Sequence, residues 1–385
     1  MKTAFLSSGS DSYGVRRSLE TLFRGFREEG VDPILICLEA GDMVRYAEDR
    51  GIPTFVCPVG RPKDFHSPLD VARNFQFMFN ASASLRNTIL ESGADNLIVR
   101  QPYQMPLAAR ACHLARKRAY WLMPNMLSDK YPFRLNARIF DLILARYGMV
   151  AIANSACTRK SLIDTFAVST VAHLGIDPAE FHPDEIPASR EKYGFRSDAP
   201  LIGIFGRIWE PKGQKVFIQA LFQVRNEFPD IQLAICGGPL DSAYGQDLRS
   251  TIDSLNLADR VLLMGSSDKL SDTLPSLYAM CDITVNSRLD PEPFGLSVIE
   301  SMLMAKPVLA HQAGGPGETI IDGETGWLMD APTVESFVEG IRRSMRDRPQ
   351  WERLGQQALA HARLHYSHVA AARRIISIIK TQSTD

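Results

Sequence analysis

Two carboxylates stand eight positions apart in the stretch PEPFGLSVIE, Glu292 and Glu300. Glu292 lies in a Pro-flanked loop. Phe294-Gly295-Leu296 then opens a helix, and Glu300 falls a little over one turn into it. Glycine at such an entry lets a ligand approach the backbone closely. The free N–H groups of the first turn, with the helix dipole, make an anion site. One carboxylate at the loop mouth and one behind the anion site suit a ligand that carries phosphates between two hydroxyl-rich groups. Ionised carboxylates accept hydrogen bonds from hydroxyls, as an acidic residue does on a ribose. Taken singly, each has a plainer reading: a surface glutamate, and a first-turn glutamate that steadies a helix N-terminus.

A second segment, GIFGRIWEPKGQK, supplies cations. A buried strand ends at Gly206, followed by Arg207 and, five residues on, Lys212. Both leave the carboxyl end of that strand. A guanidinium can grip a phosphate bidentately, and an ammonium adds a point charge. If a nucleoside diphosphate is expelled in the reaction, these charges stabilise it as it departs, without a metal ion. The turn MGSSDK, containing Ser266, follows another strand, where backbone groups can cup a nucleobase.

These residues need a scaffold of strands and helices. Apolar runs at Lys2–Leu6, Pro33–Leu38, Thr54–Val56, Asn96–Val99, Ala119–Leu122, Met149–Ala153 and Thr170–His173 predict buried parallel strands. Amphipathic stretches such as Val15–Arg27, Leu69–Glu91 and Asn136–Arg146 fill the gaps as helices. The segment Pro183–Pro200 is rich in Pro, Ser and charge and predicts a linker. Alternation then restarts, with strands at Leu201–Phe205, Gln232–Cys236, Val261–Met264, Ile283–Asn286, Pro307–Ala310 and Gly326–Met329. Residues 334–380 are helical in pattern. The expectation is α/β: two doubly wound domains, 1–182 and 201–365, joined by 183–200 and facing a central cleft.

Composition narrows the function. The 385 residues carry 43 Lys plus Arg against 44 Asp plus Glu, a net charge of −1. Nucleic-acid binders need a basic excess, so none is expected as a partner. The N-terminal apolar stretch is too short for a signal-peptide core, and no run approaches about 18 apolar residues. The six scattered cysteines form no C-x-x-C pair and read as reduced, which predicts a cytoplasmic protein. The run RACHLARKR at 110–118 reads as a solvated helix end, with at most peripheral membrane contact. The Walker, G-x-G-x-x-G, H-E-x-x-H, G-x-S-x-G and D-x-D patterns are missing from the sequence, so neither a metal nor a cofactor is expected.

The order P-E-P-F-G-L…E…K-P-V…G-G…E…G, with the two-domain layout, resembles the retaining GT-B glycosyltransferases of the family 4 (group 1) type. The resemblance covers most of the second domain strongly and the first weakly. It implies a hexose transferase using a nucleoside-diphosphate sugar, with UDP the commonest nucleotide, and an unidentified hydroxyl acceptor (carbohydrate, lipid-linked or small molecule). Glu300 would bind the donor ribose and Glu292 would contact the transferred sugar. The backbone around Phe294, Gly295 and Leu296 would hold phosphate or sugar. Gly206, Arg207 and Lys212 would hold the diphosphate, and Ser266 would lie beside the base. Tyr278 matches a family position and reads as packing near the site. Gly14 matches the phosphate or acceptor loop of the first domain, and Arg16 and Arg17 follow it there. A C-terminal helix of about 366–385 would pack back on the first domain.

The chain also departs from the family. Many members carry a His after the strand at 120–123; here Asn125 stands in that loop, able to donate a hydrogen bond but not to carry a proton. His173 stands where Asn is commoner, and is a site-adjacent candidate. Ser301 and Ala305 replace the usual Ala and Gly. A non-catalytic nucleotide-sugar binder, or a phosphorylase or epimerase on the same scaffold, are the alternatives.

Overall fold

The computed structural model describes residues 1–10, 13–59, 68–127, 134–163, 165–266 and 272–382, with side chains left aside at 13, 14 and 68–79. The chain divides into two compact units. Unit 1 is Met1–Leu174 with His368–Asp385, and unit 2 is Gly175–Ser367.

Unit 1 is built on seven strands, β1 (Lys2–Ser7), β2 (Asp32–Cys37), β3 (Thr54–Val56), β4 (Asn96–Val99), β5 (Arg118–Met123), β6 (Val150–Ala153) and β7 (Ser169–Val171). Their order is β3-β2-β1-β4-β5-β6-β7, and every pairing is parallel. The central runs are apolar without alternation because helices cover both faces. Those helices are α1 (Tyr13–Glu28), α2 (Asp42–Glu48), α3 (Pro68–Ser92), α4 (Met105–Ala115), α5 (Leu135–Tyr147) and α6 (Ala156–Lys160).

Unit 2 repeats the plan with β8 (Leu201–Phe205), β9 (Gln232–Cys236), β10 (Val261–Gly265), β11 (Ile283–Asn286), β12 (Val308–His311) and β13 (Gly326–Met329). The order is β10-β9-β8-β11-β12-β13, again all parallel. Helices α7 (Gln214–Val224), α8 (Ala243–Ser254), α9 (Leu274–Ala279), α10 (Leu296–Leu303), α11 (Pro316–Thr319), α12 (Val334–Arg346) and α13 (Trp351–His365) flank it. The chain winds outward from β8 in one direction and from β11 in the other. A ligand crevice therefore belongs at the carboxyl ends of β8 and β11, where neighbouring loops diverge.

Helix α14 (His368–Gln382) lies in unit 1. It crosses α1 closely: a Cβ on Gly25 would stand 2.5 Å from the His368 carbonyl oxygen. An ion pair, Arg373–Glu29 (2.7 Å), and a hydrogen bond between His368 Nε2 and the Glu28 carboxylate (2.9 Å) join the two helices. The Tyr120 hydroxyl donates to the Ile379 carbonyl at 3.3 Å.

One expected boundary is corrected. Residues 183–200 are part of unit 2, not a free linker. Ala188 and Phe195 are buried in its core with Leu201, Leu277 and Met280. Arg190 donates to the carbonyls of Met280 (2.8 Å) and Ala199 (3.0 Å) and pairs with Asp282 at 2.9 Å. Proline and charge made the segment irregular, but its few apolar side chains and one arginine fix it to the sheet. Unit 1 accordingly ends at Leu174 rather than 182.

Candidate active site

Backbone bonds stitch together the loops at the carboxyl ends of four strands. Gly206 N–H donates to the Cys236 carbonyl (3.0 Å), Ile208 N–H to Gly238 (2.9 Å), and Gly237 N–H to Gly265 (2.7 Å). Leu289 N–H reaches the Pro211 carbonyl at 2.9 Å, and the Ser287 hydroxyl donates to the Lys212 carbonyl at 2.7 Å. The loops after β8, β9, β10 and β11 are thus tied to one another.

Gly213 is the tightest joint among these loops. Its φ is +70°, and a Cβ there would lie 1.9 Å from the Ser287 carbonyl oxygen. Both the left-handed conformation and the approach demand glycine. Gly213→Ala is expected to destabilise unit 2 by about 2 kcal/mol or more. Urea unfolding followed by tryptophan fluorescence checks this, and a loss within error would show that the joint relaxes freely.

Inside the stitched loops is a cavity of about 220 Å³, lined among others by Gly206, Arg207, Gly238, Ser266, Tyr278 and Glu300. Glu300 is 7% exposed and comes from the second turn of α10. The Tyr278 hydroxyl donates to Glu300 Oε2 at 2.8 Å. The Tyr278 ring stacks on Phe205, with centroids 3.7 Å apart and planes at 19°. Phe181 meets the same ring edge-on at 5.8 Å. A fixed phenol therefore sets the rotamer of a buried carboxylate that faces the cavity. Cys236 also lines the wall, and burial pushes its thiol well above the ordinary value, so it stays neutral.

The charged end lies at β8 and β11. Lys212 Nζ donates to Glu292 Oε2 at 2.6 Å, and Arg288 Nη1 reaches Glu292 Oε1 at 3.4 Å. Glu292 is 8% exposed. Arg288 also holds Asp290 through Nε (2.6 Å) and Nη2 (3.1 Å). Burial alone would pull the Arg288 guanidinium down; the bond to Asp290 and the charges of Glu292 and Asp290 outweigh it and raise it. The Glu292 backbone is fixed by Gly315 N–H, which donates to its carbonyl at 2.7 Å. A Cβ on neighbouring Gly314, φ +92°, would come within 2.1 Å of that carbonyl oxygen.

The structure thus gathers Gly206, Arg207, Ser266 and Glu300 around one cavity and joins Lys212 to Glu292 as a pair. Gly295 caps α10 with φ +90°, and Leu296 begins the helix half-exposed. The Phe294 ring is buried and packs edge-on against Tyr366 at 6.1 Å. Gly14, Asn125 and His173 all belong to unit 1: Gly14 in the first turn of α1, Asn125 exposed after β5, and His173 half-buried after β7. Of the turn MGSSDK, residues 267–269 lie outside the described residues. Sequence reasoning missed Arg288, because an arginine two residues before an aspartate reads as a solvated pair. It also missed Gly237, Gly238 and Ser297 as cavity wall; the tandem glycines directly after a strand were the available signal. Among the described residues, no three His, Cys, Asp or Glu side chains gather as metal ligands.

Residues 185–361 match the family model of glycosyl transferases group 1. The match spans the cavity, both glutamates and both cations. Among curated relatives, the chain is 31% identical over 198 residues to a GDP-mannose-dependent alpha-(1-6)-phosphatidylinositol monomannoside mannosyltransferase of Mycolicibacterium smegmatis, covering 49% of this chain and 50% of that one. It is 28% identical over 232 residues to a D-inositol 3-phosphate glycosyltransferase of Stackebrandtia nassauensis, covering 57% and 51%. The chain spans about half the length of these relatives. A solved structure of Anabaena Alr3699/HepE with UDP and glucose superposes with a TM-score of 0.79 at 23% identity, covering 99% of this chain and all of that one. A glycosyltransferase from Rickettsia africae gives a TM-score of 0.81 at 19% identity, over 99% and 98%. The fold is that of the GT-B glycosyltransferases, two parallel-sheet α/β domains.

Proposed function

We propose that the chain is a retaining glycosyltransferase of family 4 type that moves a hexose from a UDP-sugar to a hydroxyl acceptor without a metal ion. The observation that carries this is Glu300: a buried carboxylate, oriented by Tyr278, facing a nucleoside-sized cavity at the sheet's switch point. Glu300 accepts the ribose hydroxyls. Gly206, Ser266 and Gly238 border the nucleoside, and the first turn of α10 at Gly295 and Leu296 offers N–H groups to phosphate. Arg207 and Lys212 neutralise the diphosphate as it leaves, which is the work a metal does in other transferases. Glu292 orients the sugar. The acceptor hydroxyl attacks on the face the diphosphate is leaving, and a leaving phosphate oxygen takes its proton, so no protein base is required.

In this reading Gly14, Asn125 and His173, all in unit 1, are the candidate acceptor or phosphate contacts. This reading puts the protein in the cytoplasm, since its six scattered cysteines form no C-x-x-C pair and five of them are buried. Anabaena Alr3699/HepE, of the same fold, was solved with UDP and with UDP-glucose. The M. smegmatis relative is named for GDP-mannose, so the base must be tested directly.

A melting-temperature series with UDP, GDP, ADP and their sugars does so. UDP at a hundredfold its Kd stabilises the native state by about 2.7 kcal/mol and raises the melting temperature by about 5 °C or more. A larger shift with GDP would overturn the choice of base. No shift with any nucleotide would overturn the donor site. Donor consumption with a pool of sugar and lipid-linked acceptors, read by mass spectrometry with the product anomer assigned by NMR, tests transfer and retention.

A further inference from the structure

Helix α5 packs one face into the core of unit 1, burying Ala137, Asp141 and Leu144. Its other face turns Leu135, Ile139 and Leu142 outward, 54%, 48% and 56% exposed. These fall at i, i+4 and i+7, so they form one stripe along the helix. Phe166, 67% exposed, belongs to the loop that meets the helix at Asp141, away from this stripe. The N–H groups of Phe166 and Ala167 bond the Asp141 carboxylate at 3.3 and 3.1 Å, which pins that loop alongside the helix. The helix has satisfied its core packing and still presents a second apolar face.

Arg138 and Arg146 stand on the same exposed side. The helix holds a single acidic residue, Asp141, and it is buried on the opposite face. The exposed side is therefore apolar and cationic. This decides what can cover it. Two copies meeting through the stripe about a twofold axis would set arginines against arginines with no helix carboxylate between them. An anionic lipid surface meets both requirements at once, taking apolar side chains at the acyl boundary and guanidinium groups among the phosphates. Among the described residues no helix is long and apolar enough to cross a membrane, so any such contact is interfacial.

We propose that unit 1 docks through the outer face of α5 onto an anionic phospholipid surface. Leu135, Ile139 and Leu142 enter the interface, and Arg138 and Arg146 hold lipid phosphates. Three apolar side chains give weak, reversible association that needs both components. This stands independently of the donor site, which lies in unit 2.

Co-sedimentation of the full chain with vesicles tests it. The protein is expected to bind vesicles of equal parts phosphatidylcholine and phosphatidylglycerol, and to bind phosphatidylcholine alone far more weakly. Arg138→Gln with Arg146→Gln lowers binding to the mixed vesicles about tenfold or more. Leu135→Ser, Ile139→Ser and Leu142→Ser together lower it by at least as much, about tenfold. The arginine variants touch no core residue and keep the test valid if the serine variant melts early. Wild-type protein left in the supernatant with mixed vesicles overturns the proposal. So does a serine variant, folded by its melting curve, that binds as wild type. A concentration-dependent dimer in sedimentation velocity that the same serines abolish assigns the face to a second copy and overturns it as well.

Discussion

Glu300→Ala is expected to lower kcat/KM for the donor by about 10²–10³-fold, with little loss of folding stability. A buried carboxylate that accepts two ribose hydroxyls makes two charge-assisted bonds, each worth about 1.5–3 kcal/mol when the site is closed to water. Alanine loses both and leaves the Tyr278 hydroxyl beside the cavity, where water can replace the lost partner. The substrate supplies a second handle. Wild type should bind 2′-deoxy-UDP roughly tenfold more weakly than UDP, the worth of one such bond. Glu300→Ala should bind the two alike. Tyr278→Phe should sit between, weakening UDP by about fivefold while preserving discrimination, because it loosens the rotamer of Glu300 without removing the acceptor. Calorimetric titration of the three proteins with the two nucleotides gives the whole comparison. Undiminished discrimination in Glu300→Ala would take the ribose away from Glu300 and sink the assigned orientation of the donor.

How far these residues could be foreseen depended on what sets them. Strands such as Asn96–Val99 and Leu201–Phe205 are unbroken apolar runs, because a parallel sheet covered on both faces leaves no polar position in its middle. Glu300 was legible because its spacing from Gly295 is a property of one helix. Segment 183–200 was misread because composition registers its prolines and charges, while its placement rests on Arg190 reaching Met280 and Asp282, about ninety residues on. The pairing of Lys212 with Glu292 is equally non-local, spanning 80 positions. The pairing of β8 with β11, and the stitching of their loops through Pro211–Leu289 and Lys212–Ser287, bring those side chains together. Local pattern thus fixes which residues face the carboxyl edge, and tertiary hydrogen bonds fix which of them touch.

That contact changes what should follow from the cations. Lys212→Ala and Arg207→Ala are each expected to lower kcat by about 10²–10³-fold, the usual cost of removing one group aimed at developing charge. Arg207 is exposed at the cavity rim, so its loss should act on donor and transition state without a folding penalty. Lys212 differs, because it already holds Glu292 at 2.6 Å with its side chain only 25% exposed. To serve a diphosphate it must give up one anion for another, and that exchange subtracts from donor affinity. Glu292→Gln removes the competitor. UDP should then bind about tenfold more tightly than to wild type, while sugar transfer falls if, as proposed, this carboxylate orients the sugar. Opposite signs in binding and turnover from one substitution are hard to obtain from a merely structural glutamate. Arg288 would make the proposed exchange tolerable: its contact with Glu292 would leave one cation on the carboxylate once Lys212 turned to the diphosphate. Arg288→Gln should accordingly weaken UDP binding several-fold, and adding Glu292→Gln to it should restore the affinity, because no carboxylate then needs a partner. Weaker UDP binding by Glu292→Gln would mean that Glu292 supports the diphosphate site rather than competing for its lysine.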